Sequence, residues 1–110
     1  MTPRSALEPF LRKLKNREND LENKMQIANT TPEEHGECSA CSNTAFELRI
    51  RLRMQDKGEI AEGWEEAYIA HLKKDPLYEQ DTPGEKAFRQ FECQFAGELE
   101  EIFRREGSIE

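Results

Sequence analysis

Between Thr82 and Gly107 the apolar residues Phe88, Phe91, Phe95, Leu99, Ile102 and Phe103 recur every three or four positions, which predicts an amphipathic helix. Its ends are marked by chemistry. Thr82 is an N-cap, Pro83 suits the first helical position, Glu85 sits where a capping box needs a carboxylate, and Gly107 marks the stop. At the other end of the chain Leu7, Leu11, Leu14, Leu21, Met25 and Ala28 follow at spacings of four and three, with Glu18 breaking the seam. That is a coiled-coil type of pattern. Ser5-Ala6-Leu7-Glu8 reads as its capping box, with Pro9 tolerated in the first turn.

The stretch Asn29-Thr30-Thr31-Pro32 ends this helix and starts another, with Thr31 as N-cap and Glu33 and Glu34 in the first turn. Cys38, Cys41, Ala45, Leu48 and Leu52 continue a three-four seam, which predicts a helix over 32–57 antiparallel to the first. Residues 44–54 admit a second reading. Phe46, Leu48, Ile50, Leu52 and Met54 alternate with Glu47, Arg49, Arg51 and Arg53 as in an amphipathic strand, and Gly36 and Ser42-Asn43 are places for a break. A lone strand has nothing to pair with except across a dimer, so helix is preferred. After Asp56-Lys57-Gly58, a third helix carries Ile60, Ala61, Trp64, Ala67, Tyr68 and His71 on one face, with Glu62, Glu65, Glu66 and Lys73 pointing away. Asp75-Pro76 ends it, and residues 75–82 form a loop. The expected fold is all-α, one small four-helix domain: a coiled-coil-like helical hairpin at 1–58, then a two-helix half at 59–110.

Composition makes this core thin. Apolar and charged residues each make up 35% of the 110, so dimerisation or a partner is a natural source of extra burial, and a homodimer is one form it takes. No apolar run approaches the roughly 20 residues needed to span a bilayer, and the N-terminus lacks the apolar region of a signal peptide. A cytoplasmic protein away from membranes is expected. The net charge of −7 is uneven. Residues 1–58 hold ten Lys/Arg against nine Asp/Glu (net +1), whereas residues 59–110 hold six against fourteen (net −8). An acidic half repels phosphate backbones and attracts basic protein surfaces, which argues against nucleic acid as a partner.

Signals for chemistry are few. Cys38-Ser39-Ala40-Cys41 with His35 upstream supplies three ligands of a type zinc accepts, with Cys93 or His71 for a fourth. It is a C-x2-C without its second half, and Cys93 lies about 160° around its helix from Phe95. The alternative places Cys38 and Cys41 as small apolar residues on the seam, and no cofactor is expected. An odd number of cysteines, three, fits reduced thiols rather than a disulfide framework. His71 reads as a core histidine, the serines occupy no nucleophile turn, and the glycines form no phosphate-cradling loop. Adjacent carboxylates such as Glu65-Glu66 and Glu100-Glu101 diverge by about 100° on a helix and read as solvating charges. The chain therefore reads as a non-enzyme.

Glu62-Gly63, Ala67, Ala70, Asp75-Pro76-Leu77-Tyr78, Thr82-Pro83, Ala87-Phe88, Phe91 and Phe95 together resemble the layout of ribosome modulation factor and related small phage-borne proteins. The resemblance covers the C-terminal third and implies a two-helix scaffold in a small accessory factor. Leu77 separates the proline from the tyrosine, and phenylalanines stand where that family has tryptophans. Because this half is acidic, ribosomal RNA binding is not carried over with the scaffold. The function expected is that of an acidic interaction protein, a phage- or plasmid-type inhibitor that binds and modulates a nucleic-acid-binding machine of its host. Its contact residues would be Glu62, Trp64, Glu65, Glu66, Tyr68, Glu98, Glu100 and Glu101. The alternative is a zinc-assisted regulator that binds nucleic acid or the ribosome through His35, Cys38, Cys41 and the row Arg49, Arg51, Arg53.

Overall fold

A computed structural model describes residues 2–74 and 79–110, and within them the chain forms four helices and no strand. These are α1 (Arg4–Ile27), α2 (Pro32–Asp56), α3 (Trp64–Lys73) and α4 (Pro83–Arg105). The break expected at Asp75-Pro76 and the loop through Leu77 and Tyr78 fall outside the described residues. Residues 44–54 are helical, so the strand-like alternation lies on a helix.

Two starts follow local chemistry. The Thr31 hydroxyl accepts the Glu34 amide, and the Glu34 carboxylate accepts the Thr31 amide at 3.0 Å, a complete capping box. An ion pair with Lys24, then the bond from Thr31, hold the Glu34 carboxyl down at about 2. Thr82 likewise accepts the Glu85 amide, and α4 stops at Gly107, whose φ is 72°.

The α1 and α3 starts differ from expectation. Ser5 is not a cap: α1 begins at Arg4 behind Pro3, with no side-chain cap. Tertiary hydrogen bonds hold the entering chain instead. Glu65 Oε2 accepts the Thr2 amide at 2.9 Å and lies 3.1 Å from the Thr2 hydroxyl, which is itself 2.6 Å from Ser108 Oγ. The Thr2 carbonyl accepts Gln55 Nε2 at 2.7 Å, and Gln55 Oε1 accepts the Trp64 indole at 2.9 Å. Pro9 consequently sits inside the helix rather than in its first turn. Ile60 and Ala61 lie outside α3, because Gly63 takes a left-handed conformation (φ 82°) that interrupts any helix running through it.

The helices alternate in direction. The pairs Arg4–Asp56 and Arg17–Glu37 lock α1 antiparallel to α2, and Thr2 at Ser108, with Phe10 farther along edge-on to Phe95, sets it antiparallel to α4. Gly36 meets Gly84 and Ala87 near the N-termini of α2 and α4, while Trp64 joins Gln55 and Phe103 near their C-termini, so these two run parallel. One core results, with Leu14, Leu48, Leu52, Tyr68, Leu99 and Phe103 at its centre. On α1 the expected seam is buried from Leu7 to Leu21, including Glu18. Phe10, which the two-helix seam omits, is buried because α4 covers a second face of α1. Ala28 is exposed beyond the helix end, since α1 stops at Ile27 and α2 begins only at Pro32.

Candidate functional site

Tyr68 and His71 on α3 face Asn43, Glu47 and Arg51 on α2, residues one helical turn apart. Glu47 is the hub. Its Oε1 accepts Asn43 Nδ2 at 3.1 Å and the Tyr68 hydroxyl at 3.4 Å, and its Oε2 lies 3.2 Å from His71 Nε2. The Arg51 guanidinium sits 4.2 Å above the Tyr68 ring, and the His71 ring stacks on the same tyrosine. Burial first, then the Glu47 charge, drives the Tyr68 hydroxyl far above its ordinary range, so it stays protonated. His71 is half-exposed at the rim rather than in the core, because Glu47 draws it to the α2–α3 boundary. The cluster clamps α3 to α2; no cysteine or serine adjoins it among the described contacts to act as a nucleophile.

The residues expected to meet a partner are divided by the fold. Glu62, Glu66 and Glu101 are exposed and form no ion pair among the described residues. Glu100 is half-buried between Lys73 and Arg104, and Lys73 above all holds its carboxyl below the usual range. Glu98 pairs with Lys13, and its Oε2 is buried without a partner among the described residues. Glu65 does not point away from the core. It is 1% exposed, on the Thr2 network, because residues 2 and 108 close over that face of α3. Trp64 and Tyr68 are core residues too, buried on Phe103 and under Arg51 respectively, and present no surface to a partner.

The proposed zinc ligands do not converge: among the described residues no group of three or more His, Cys, Asp or Glu is placed to hold a metal ion. His35 is exposed and bonded to Thr30 Oγ1 at 2.7 Å, whereas Cys38 and Cys41 are buried on the α2 seam. The Cys38 thiol points at the Glu18 carbonyl, 3.9 Å away. Burial, followed by nearby carboxylates, raises both thiols, Cys41 to about 11. Cys93 is exposed. A thiol-specific reagent at mildly alkaline pH should therefore label Cys93 fast and the other two only on unfolding. Three equally fast thiols would show that the α1–α2 seam is open.

A second apolar face of α2 was missed in the sequence. Phe46 (62% exposed), Ile50 and Met54 are spaced by four and line the outside of the helix. Alongside them Arg49, Arg53 and Lys57, also spaced by four, are exposed and carry no ion pair among the described residues. Between this stripe and α3 runs a cleft of about 420 Å³ lined by Ile50, Met54, Ile60, Ala61, Ala67 and His71, among others. The signal was the very alternation of residues 44–54, which also contains an i, i+4, i+8 series. No helix among the described residues is long and apolar enough to cross a membrane. No family model, curated protein or solved structure matches this chain.

Proposed function

We propose that this chain is a non-enzymatic interaction protein whose acidic α3–α4 half binds a basic surface on a macromolecular machine that itself handles nucleic acid, and so inhibits it. The observation that carries the reading is the set of exposed carboxylates at Glu62, Glu66 and Glu101, which hold no ion pair among the described residues, in a half of the chain that nets −8. Lys73 and Arg104 neutralise only Glu100 on that surface. Exposed unpaired carboxylates keep their field outside the protein, where it steers a basic partner and competes with phosphates for the same cleft. Glu65, Trp64 and Tyr68 have no part in this version, because they are buried.

The test is capture of partners from a bacterial lysate on the tagged chain, with and without nuclease, using the native sequence and a Glu62→Lys, Glu66→Lys, Glu101→Lys variant. A protein retained regardless of nuclease, and held about tenfold or more weakly by the variant at unchanged helix content, is the expected result. Undiminished capture by the triple reversal would remove the acidic-surface reading. Ribosomal components that vanish with nuclease would replace it with the nucleic-acid reading.

A further inference from the structure

We propose that the outer face of α2 is a second docking site, built to receive an acidic amphipathic helix from a protein partner. Its apolar ridge and its row of cations lie on α2, outside the acidic half, and the cleft beside the ridge is shared with α3. Phe46, half-buried Ile50 and Met54 form one ridge about two turns long with no helix packed over it among the described residues, beside a cleft lined in part by Ile60 and Ala61. Solvent exposure of a continuous apolar ridge is a cost that a covering partner removes. The ridge spans about 12 Å along the helix axis, the distance covered by anchors at i, i+4 and i+8 of a bound helix.

The charges around it choose the occupant. Arg49, Arg53 and Lys57 border the ridge on one side. On the other, His71 lines the cleft and Lys74 Nζ lies 3.3 Å from its Nδ1. Glu47, which meets the cleft residues Tyr68 and His71, is already engaged by them and by Asn43. Glu59, Glu62 and Glu66 are exposed neighbours of the cleft-lining Ile60, Ala61 and Ala67 on the turn and on α3 but do not line the cleft themselves, and Asp56 is tied to Arg4. Elsewhere cations are mostly matched: Arg4, Lys13, Lys15, Arg17, Lys24 and Lys73 each hold an internal carboxylate. An apolar ridge bordered on its α2 side by three cations in a row, on a protein of net charge −7, complements a helix with leucine-type anchors flanked by Asp or Glu. A second copy fits less well, because an antiparallel α2–α2 pairing sets the two arginine rows against each other.

Fluorescence anisotropy of a labelled synthetic helix, about five turns long with Leu anchors and Glu flanks, tests this on the whole chain. A peptide with Lys in place of every Glu is the control. The Glu peptide should bind, with affinity falling as salt rises, and the Lys peptide should bind about tenfold or more weakly. Ile50→Asp and, independently, Phe46→Asp should abolish binding at unchanged helix content. The Arg49→Glu, Arg53→Glu, Lys57→Glu variant should reverse the preference between the peptides. Equal binding of both peptides, binding of neither, or a Glu peptide indifferent to the triple reversal would overturn the proposal. So would self-association of the chain that Ile50→Asp abolishes and the peptide competes with, since the face would then belong to a second copy. Sedimentation of the chain with anionic phosphatidylserine vesicles, lost in Ile50→Asp, would likewise overturn it.

Discussion

Gly36→Ala should destabilise the protein by about 2 kcal/mol, even though alanine is the better helix former by about 1 kcal/mol. A Cβ at this position would stand 2.3 Å from the Gly84 carbonyl oxygen, 2.9 Å from Ala87 Cβ and 3.0 Å from the Phe88 amide nitrogen. Two of those three neighbours are backbone, so no rotamer change relieves the overlap. The helices themselves must separate, and with them the close packing at the start of α2 and α4. Gly97→Ala is the matched comparison. Nothing lies within 4 Å of a Cβ there, in the interior of α4, so only the propensity gain remains and stability should rise by about 0.5–1 kcal/mol. Urea denaturation of both variants checks the pair. Two substitutions of the same sign would show that α2 and α4 do not cross at Gly36.

Glu65→Ala should be costlier, about 3 kcal/mol, while Glu66→Ala next to it should stay within about 0.5 kcal/mol of the parent. Removing the Glu65 carboxylate leaves the buried Thr2 amide without its acceptor at 2.9 Å and takes a partner from a hydroxyl shared with Ser108. The loss then spreads to Gln55 and Trp64, which reach the same node through the Thr2 carbonyl. Glu66 is exposed and holds no such bonds among the described residues. Denaturation midpoints, together with faster amide exchange at Thr2 in Glu65→Ala, measure the effect. Equal midpoints for the two variants would mean that Glu65 faces solvent after all. The result also decides which carboxylates belong in a charge-reversal set: a lysine at position 65 would bury a charge against a backbone amide and report unfolding instead of lost binding.

Where α2 and α4 begin was readable from the chain alone. A threonine hydroxyl and a carboxylate three residues on satisfy orphan amides through contacts that need no other helix, as at Thr31 with Glu34. The apolar periods of α1, α2 and α4, and the stop at Gly107, were legible for the same reason, since they arise from one helix's own geometry. Which faces are covered was a different matter. Phe46, Ile50 and Met54 are as apolar as Leu48 and Leu52, yet α3 is ten residues long and leaves Phe46 and Met54 exposed and Ile50 only half-buried. Glu65 reads as a surface charge until Thr2, Gln55 and Ser108, 10 to 63 residues away in sequence, close around it. Trp64 and Tyr68 look like interface anchors until Phe103 and Arg51 cover them. Caps and periods are set within a few residues, so the sequence by itself determined an all-α chain. Burial depends on which helices meet and how far each extends, and so only the tertiary structure decided which side chains form the core and which remain free for a partner.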